Sequence, residues 1–405
     1  MLKHSMLDDT LEPSINEKNV TNELRQKYRK NFSLMSFMAP GEQASWYWRN
    51  MEQVIPASRI RADSASSIPL KRDLLNPNTV YNTNYADRAL GDLLLGDKPA
   101  IDSLMITKNG KVVFEHFNMP YNEQHVWMSN AKTIAGLLIA LLEEEGKIDV
   151  SNTLITYLPE LADSDWKDVK VIDVLNMQSG MDVRENAEAR SNPNTSIAQI
   201  FMAETGHIPD YLDTLLRPKK QSEAGKAFEY SSANTQILGM LIARVENKTL
   251  SKVFEQRIWS KAGMSSDGIM SLTPDGFEIV HGIYSSNTED MARYAMLFTD
   301  SWPATAKERL ISENVVKTIR TSFTKGVYLG NEEMGNHFVN MIGEQPLGAS
   351  YQFDAIWEDG DMFKSGMEGQ GIYISPDKNM TAVWFSNRGE NDHPATYIRQ
   401  FMKAQ

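Results

Sequence analysis

Residues 128–150 read MSNAKTIAGLLIALLEEEGKIDV, and no other stretch of the chain says as much about the fold. Apolar residues from Ile134 to Leu142 fall on nearly every side of a helix, which predicts a buried helix over 129–145. Gly146 follows the last apolar turn and is a typical helix end. The sequence therefore predicts one long helix that runs through the core.

The first turn of this helix carries Ser129-Asn130-Ala131-Lys132, in which a serine and a lysine stand three residues apart. On a helix this spacing puts both side chains on one face. The N–H groups at a helix N-terminus favour a developing negative oxygen. Burial can lower the pKa of a lysine until the amine accepts the serine proton. We therefore predict Ser129 as a nucleophile and Lys132 as its proton acceptor.

The pattern Ser-x-x-Lys occurs four times in the chain, beginning at Ser129, Ser164, Ser322 and Ser375, so the tetrapeptide alone carries little weight. Ser375 precedes a proline, no apolar helix follows Ser322, and Ser164 stands among aspartates that indicate a surface segment. We interpret these three as helix caps or turn residues with exposed lysines. Only Ser129 opens a long apolar helix.

A second motif, Tyr230-Ser231-Ser232, stands just before a predicted helix over 233–246. A tyrosine there can point its hydroxyl into a cleft and act as a general base and later as an acid. Two ammonium groups, from Lys132 and Lys364, would lower the pKa of that hydroxyl. The alternative is a buried tyrosine whose hydroxyl has a single structural partner.

A third motif, Lys364-Ser365-Gly366, directly precedes the predicted strand 371–375. Glycine would let a substrate approach the strand edge, and the lysine would add positive potential to the site. The alternative is an ordinary turn before an edge strand. Together with the serine and tyrosine motifs, this segment makes a joint signal that none of the three carries alone.

Two hairpins near opposite ends of the chain flank these motifs, at 103–117 and 371–385. Asn109-Gly110 supplies the tight turn of the first. Strands, then helices, then strands predict an α+β fold, an antiparallel sheet flanked by helices with a helical domain inserted between its two parts. We expect the domain boundaries in this order: an N-terminal arm over 1–45, partly helical at 18–30; a sheet domain formed by 46–135 and 275–405; and a helical domain over 136–274.

Composition narrows the class of function. The net charge of −12 predicts repulsion from phosphate backbones, so nucleic acid is not an expected partner. The chain has no cysteine, and its seven histidines show no metal-ligand spacing, so we expect neither a metal nor another cofactor.

The longest apolar run is about half of what a bilayer requires. The first residues contain no apolar signal segment, so we expect a cytoplasmic protein, or a periplasmic or secreted one if an export signal preceded this sequence. The expected partner is a small molecule, and nothing speaks against a homodimer.

With these motifs in this order, the chain resembles the serine β-lactamases and penicillin-binding proteins. Within that family it is most similar to class-C-like esterases and 6-aminohexanoate-dimer hydrolases. The resemblance runs from about residue 100 to 390. It rests on the stretch quoted first and on VIDVLNMQSGM at 171–181, FEYSSANTQILGMLIARV at 228–245, AGM at 262–264, SSNTEDMARYAMLF at 285–298 and KSGMEGQGIYISPDKNM at 364–380.

The resemblance implies the β-lactamase/D,D-peptidase fold and an acyl-enzyme on Ser129, with Lys132 and Tyr230 as its proton partners. It also implies an oxyanion hole formed by the backbone N–H groups of Ser129 and Met367, with Ser232 and the Lys364 motif lining the substrate site. Class C β-lactamases carry asparagine where this chain has Ser232, which argues against efficient β-lactam hydrolysis.

We therefore expect a serine hydrolase that cleaves a small ester or amide. Two alternatives stay open at this point. One is a D,D-peptidase or weak β-lactamase, and the other is a sensor that is acylated without turning over.

Overall fold

The computed structural model describes residues 20–387 and 394–405. The first part of the predicted N-terminal arm, residues 1–19, and residues 388–393 lie outside the described residues. The remainder of the arm contains three short helices, in agreement with the helical content expected near 18–30.

Both predicted hairpins belong to one sheet of eight strands, as the sequence predicts. In sheet order the strands are β10, β11, β12, β13, β14, β5, β6 and β2, and each pair is antiparallel except β2 with β6, which is parallel. The strands of the structure are β1 Ala57–Ile60, β2 Lys71–Arg72, β3 Asn84–Tyr85, β4 Arg88–Ala89, β5 Ile101–Lys108, β6 Lys111–Phe117, β7 His125–Val126, β8 Gly268–Ser271, β9 Tyr284–Ser286, β10 Gly348–Ser350, β11 Phe353–Ile356, β12 Met362–Gly366, β13 Gln370–Ser375 and β14 Met380–Ser386.

The turn between β5 and β6 shows why the first hairpin forms where the sequence predicts it. Asn109 and Gly110 have φ angles of +50° and +75°, the left-handed conformation that a two-residue turn requires. The flanking residues Lys108 and Lys111 pair directly across the two strands. Strands β5 and β14 then pair along their whole length and join the two ends of the chain in the centre of the sheet.

A second sheet has the strand order β1, β8, β9 and β7 and leads the chain into the predicted nucleophile turn. Val126 of β7 pairs with Ser285 of β9, and the N–H of Trp127 donates to the carbonyl of Tyr284 at 2.7 Å. This pairing fixes the backbone immediately before Ser129. A third, small sheet consists of β3 and β4.

The predicted long helix is present, but it begins three residues later than expected. A 3₁₀ turn, Met128–Ala131, comes first, and the α-helix starts at Lys132. The helices of the structure are α1 Asn22–Lys30, α2 Leu34–Met38, α3 Glu42–Arg49, α4 Pro77–Tyr81, α5 Leu90–Leu94, α6 Lys132–Glu144, α7 Val171–Leu175, α8 Ala187–Ser191, α9 Ser196–Glu204, α10 Tyr211–Leu216, α11 Ser232–Glu246, α12 Leu250–Phe254, α13 Thr288–Met296, α14 Glu313–Thr321, α15 Glu332–Ile342 and α16 Ala395–Lys403. Shorter helical turns are Met51–Gln53, Ser64–Ser66, Leu154–Thr156, Pro159–Leu161, Asp165–Asp168, the π-turn Glu255–Trp259, Trp302–Ala304 and Met367–Gly369.

Helix α6 runs through the core and packs beside α11. All of its residues from Lys132 to Leu142 are buried, as its apolar sequence predicts. The backbone of residue 351 approaches it so closely that a Cβ on Gly136 would lie 2.0 Å from the carbonyl oxygen of Tyr351. Glycine at 136 therefore allows the loop before β11 to lie directly against α6.

The chain between β7 and β8 is helical and contains no named strand among its residues, all of which the structure describes. This is where the sequence predicts an inserted helical domain. The division of the chain into domains stays a prediction.

The N-terminal arm packs on the segment that precedes Ser129. Tyr28 and Phe37 of the arm are buried and share one apolar cluster with Val126 and Met128. The arm therefore packs against the residues that lead into Ser129. Along the described parts of the chain, we find no helix long and apolar enough to cross a membrane.

Candidate active site

Ser129 lies on the 3₁₀ turn that connects β7 to α6, where its side chain is half-buried. Met128, the residue before it, has a φ angle of +50°, which is uncommon for a residue other than glycine. The Nδ2 group of Asn130 donates to the carbonyl of Trp127 at 2.9 Å and closes the turn. Ser129 therefore lies on the turn that precedes α6 and not within the α-helix.

Lys132 is fully buried, and its amine reaches three oxygen atoms. The distances from Nζ are 3.3 Å to the Ser129 hydroxyl, 2.9 Å to the Ser232 hydroxyl and 2.7 Å to the His281 carbonyl. The pKa of this amine is lowered to about 7, chiefly by burial; Lys364 also lowers it, while the charges of Glu185, Asp354 and Glu204 raise it. The lowered pKa agrees with the expected effect of burial, and about half of such amines are unprotonated at pH 7. The role of Lys132 as a base stays a prediction.

Tyr230 lies two residues before the first residue of α11, with its ring close to the amines of both buried lysines. Lys364 Nζ lies 3.3 Å from the hydroxyl, and the Lys132 and Lys364 amines lie 5.1 Å and 4.8 Å from the ring centroid. A hydrogen bond with Ser129 lowers the pKa of this phenol, but burial and the charges of Asp354 and Glu185 raise it well above its usual value.

The expectation that two cations would lower the pKa of Tyr230 is therefore wrong. The sequence analysis identified the two lysines but not the carboxylates of Asp354 and Glu185, and it expected both amines to act on the hydroxyl. In the structure Lys132 faces the ring, and the phenol stays protonated at neutral pH. A protonated phenol is an acid, not a base.

Lys364 is the second fully buried lysine of the site, and Asp354 neutralises it. Its amine contacts both carboxylate oxygens, at 2.7 Å and 2.8 Å, and donates to the carbonyl of Ser365 at 3.0 Å. Because the pair has no net charge wherever its shared proton lies, Lys364 does not add the positive potential that the sequence suggests.

The hydroxyl and the N–H of Ser365 also bind Asp354, at 2.5 Å and 2.8 Å. Ser365 therefore orients this carboxylate instead of presenting its hydroxyl to the cleft. Asp354, on the neighbouring strand β11, therefore binds both Lys364 and Ser365.

Gly366 brings the end of β12 against the nucleophile turn. A Cβ at this position would lie 2.8 Å from Asn130 Nδ2 and 3.0 Å from Met128 Cβ, so any side chain would push the strand away. Met367 follows directly and begins a helical turn whose second residue, Glu368, has a φ angle of +61°. The glycine therefore allows the backbone at 366–367 to lie next to the backbone that carries Ser129.

Ser232 lies between the lysine and a buried glutamate. Its hydroxyl accepts from Lys132, and its N–H donates to Glu185 Oε2 at 2.6 Å. Arg190 lies 4.0 Å from the other oxygen of Glu185. Glu185 is thus held at the N-terminus of α11, close enough for its charge to raise the pKa of Lys132.

The model of the Beta-lactamase family matches residues 101–405. The chain belongs to the beta-lactamase family. It is an enzyme of the serine hydrolase type that this family comprises.

The chain is similar to several proteins that are described as hydrolases. It is 23% identical to the 6-aminohexanoate-dimer hydrolase of Paenarthrobacter ureafaciens over 308 residues, which are 73% of this chain and 75% of that protein. A structure from Bacillus anthracis, provisionally described as a 6-aminohexanoate-dimer hydrolase, has a TM-score of 0.72 at 20% identity and covers 97% of this chain and 96% of its own. EstCE1, described as a hydrolase with promiscuous acyltransferase activity, has a TM-score of 0.56 at 15% identity over 75% of this chain and 93% of its own. The solved structures show that the fold is shared.

The other three Ser-x-x-Lys serines of this family member lie apart from the contacts described above. Ser164 is buried, not at the surface as expected, and its hydroxyl donates to the carbonyl of Leu216 at 2.8 Å. Ser322 follows the last turn of α14, and Ser375 ends β13. Among the hydrogen bonds found for the described residues, none joins the side-chain amine of one of these three lysines to the hydroxyl of its own serine.

The sequence analysis missed the acidic and histidine residues of the site. Asp354, Glu185, Glu204 and His281 are buried around the two lysines, yet none of them belongs to a recognisable motif. One signal was available for Asp354, because a fully buried lysine such as Lys364 requires a partner. Among the described residues, no group of three or more acidic or histidine side chains is placed to hold a metal ion.

Proposed function

We propose that this protein cleaves a small carboxylic ester or amide through an acyl-enzyme on Ser129. One observation carries the proposal. The buried amine of Lys132 lies 3.3 Å from the Ser129 hydroxyl and has a pKa of about 7. An unprotonated amine in that position accepts the serine proton as the hydroxyl oxygen attacks the carbonyl carbon.

The other residues divide the remaining steps of acylation. The N–H groups of Ser129 and Met367 receive the negative charge that develops on the carbonyl oxygen. Tyr230, whose phenol is protonated at neutral pH, donates its proton to the leaving oxygen or nitrogen. The Lys132 ammonium then returns a proton to the tyrosine. Water hydrolyses the acyl-enzyme by the same steps in reverse, with the amine accepting the proton of the water.

Relatives support an amide substrate as well as an ester. One relative is named a 6-aminohexanoate-dimer hydrolase, and a structural neighbour is described as a hydrolase with acyltransferase activity. A D,D-peptidase or weak β-lactamase is the alternative, and Ser232, where class C β-lactamases have asparagine, argues against rapid β-lactam turnover.

Turnover of two chromogenic substrates tests the proposal. We expect many equivalents of p-nitrophenol to be released from p-nitrophenyl acetate per enzyme, and nitrocefin to be hydrolysed far more slowly. One equivalent of p-nitrophenol and no more would indicate a sensor that is acylated without turnover. Faster hydrolysis of nitrocefin than of the ester would indicate a β-lactamase. A panel of D-peptides and aminohexanoate oligomers would then define the amide preference.

A further inference from the structure

The amine of Lys132 has three neighbouring oxygen atoms, and the Ser129 hydroxyl is the most distant of them. The distances are 2.7 Å to the His281 carbonyl, 2.9 Å to the Ser232 hydroxyl and 3.3 Å to Ser129. A neutral amine has two hydrogens and one lone pair. If the two hydrogens occupy the two shorter contacts, the lone pair points toward Ser129, which is the direction a base requires.

The carbonyl of His281 lies in a turn between β8 and β9, where no strand ladder fixes it. Two other groups hold it instead. Gln236 of α11 accepts from the N–H groups of Val280 and His281, at 2.9 Å and 3.2 Å. The imidazole of His281 donates from Nε2 to Glu204 at 2.8 Å, since an ionised carboxylate can only accept.

Glu204 itself is a buried carboxylate at the end of α9, with a side chain that is 4% exposed. The Tyr211 hydroxyl donates to the same oxygen that receives the histidine, at 3.3 Å. Apolar residues of similar volume often replace a buried polar pair of this kind without loss of stability. Glu204 bonds to the ring of His281, and the carbonyl of His281 bonds to the amine of Lys132. This chain of contacts points to a role for Glu204 in the reaction.

We propose that Glu204 and His281 are positioning residues, which hold the His281 carbonyl so that the Lys132 amine is aimed at Ser129. The inference rests on the proposed function of Ser129 and Lys132. Neither Glu204 nor the His281 ring contacts the reacting atoms. They act through the carbonyl that fixes one hydrogen of the amine.

Three substitutions test this proposal, with p-nitrophenyl acetate as the substrate across a range of pH. Glu204→Ala and His281→Ala remove one of the two anchors of the carbonyl and leave the contacts of Gln236, and we expect kcat on the pH plateau to fall about tenfold or more while KM changes little. Glu204→Gln keeps an oxygen that accepts from Nε2, so it should restore most of the plateau value. His207→Ala is the matched control, because among the described residues the ring of this exposed histidine has one hydrogen bond, to Thr205 in the same α9–α10 connection. It should leave kcat unchanged.

The acidic limb of the pH profile gives a readout that a purely structural role would not move. The groups that act on the charge of Lys132 are Glu185, Asp354 and Glu204, which favour the ammonium, and Lys364, which disfavours it, while the Tyr230 ring lies beside the amine. Removing the charge of Glu204 should therefore shift the limb of Glu204→Gln to lower pH.

Two results would overturn the proposal. One is that Glu204→Ala and His281→Ala, both folded by circular dichroism, have the plateau kcat and the acidic limb of the wild-type pH profile. If the alanine variants fail to fold, an unshifted limb in Glu204→Gln overturns it. Ser129→Ala separates this failure from that of the proposed function. If Ser129→Ala is active, both the proposed function and the positioning role are rejected. If Ser129→Ala is inactive but the Glu204 and His281 variants have wild-type activity, only the positioning role is rejected.

Discussion

Two fully buried lysines lie beside the ring of Tyr230, and their surroundings differ. Lys132, on the helical side, contacts two hydroxyls and a carbonyl, and burial lowers its pKa to about 7. Lys364, on the sheet side, contacts both oxygens of Asp354. Burial lowers the pKa of Lys364 as well, although the charge of Asp354 acts in the opposite direction. The difference is that Lys132 contacts neutral acceptors, whereas Lys364 is paired with a carboxylate. The neighbours, and not burial alone, decide which lysine is the base and which is structural.

The largest expected effect is the loss of Lys132. Lys132→Ala should lower kcat by about 10³-fold or more, within the upper range for a general base. Lys132→Arg should be as damaging, because a guanidinium does not lose its proton near neutral pH. Steady-state hydrolysis of p-nitrophenyl acetate measures both. Substantial activity in Lys132→Arg would show that the residue supplies charge and not a base.

For the free energy of unfolding the order is reversed, and substitution of Lys364 should have a larger effect than substitution of Lys132. Lys364→Met leaves Asp354 buried without its partner, which should cost about 3 kcal/mol of the free energy of unfolding. Lys132→Met should lose much less, because its partners are hydroxyls and a carbonyl. Urea denaturation compares the two variants directly. Equal losses of stability would mean that the two lysines do not differ as described.

Tyr230 lies between the two lysines, and its hydroxyl links them to the reaction. Tyr230→Phe keeps the ring and removes only the acid, so kcat should fall by about 10²-fold with little change in KM. The double variant with Lys132→Ala should be little worse than Lys132→Ala alone, since the residues act as a unit. A wild-type kcat in folded Tyr230→Phe would remove the phenol from the mechanism.

The smallest expected effect is on pH dependence. Activity should rise with pH through about 7, because the amine of Lys132 must lose its proton to act as a base. Glu185 raises the pKa of that amine, so Glu185→Gln should shift the acidic limb of kcat/KM to lower pH. A shift to higher pH would mean that the limb reports another group.

Sequence reasoning found the elements whose signal is local. The apolar run of α6, the Asn109-Gly110 turn and the order of the three motifs are contained in short stretches, and the structure contains the predicted helix and a single sheet with both hairpins. The start of α6 was misplaced by three residues, because the tight turn at Met128 is set by contacts with β9 and the arm.

The residues that sequence reasoning missed depend on contacts between distant segments. In the β11–β12 pairing, Ala355 lies opposite Phe363, so the adjacent positions Asp354 and Lys364 also face each other. This register could have revealed Asp354 had the hairpin been recognised. Glu204 and His281 are 77 residues apart in the chain, and no local pattern joins them. The prediction for the Tyr230 pKa was wrong for the same reason.

The central claim is that Ser129, and no other Ser-x-x-Lys serine, is the nucleophile. Reaction with a fluorophosphonate probe, followed by peptide mass mapping, tests it most directly. The account predicts a single adduct on the peptide that contains Ser129, lost in Ser129→Ala and retained in Ser164→Ala and Ser322→Ala. Labelling that persists in Ser129→Ala, with the adduct on another serine, would contradict it.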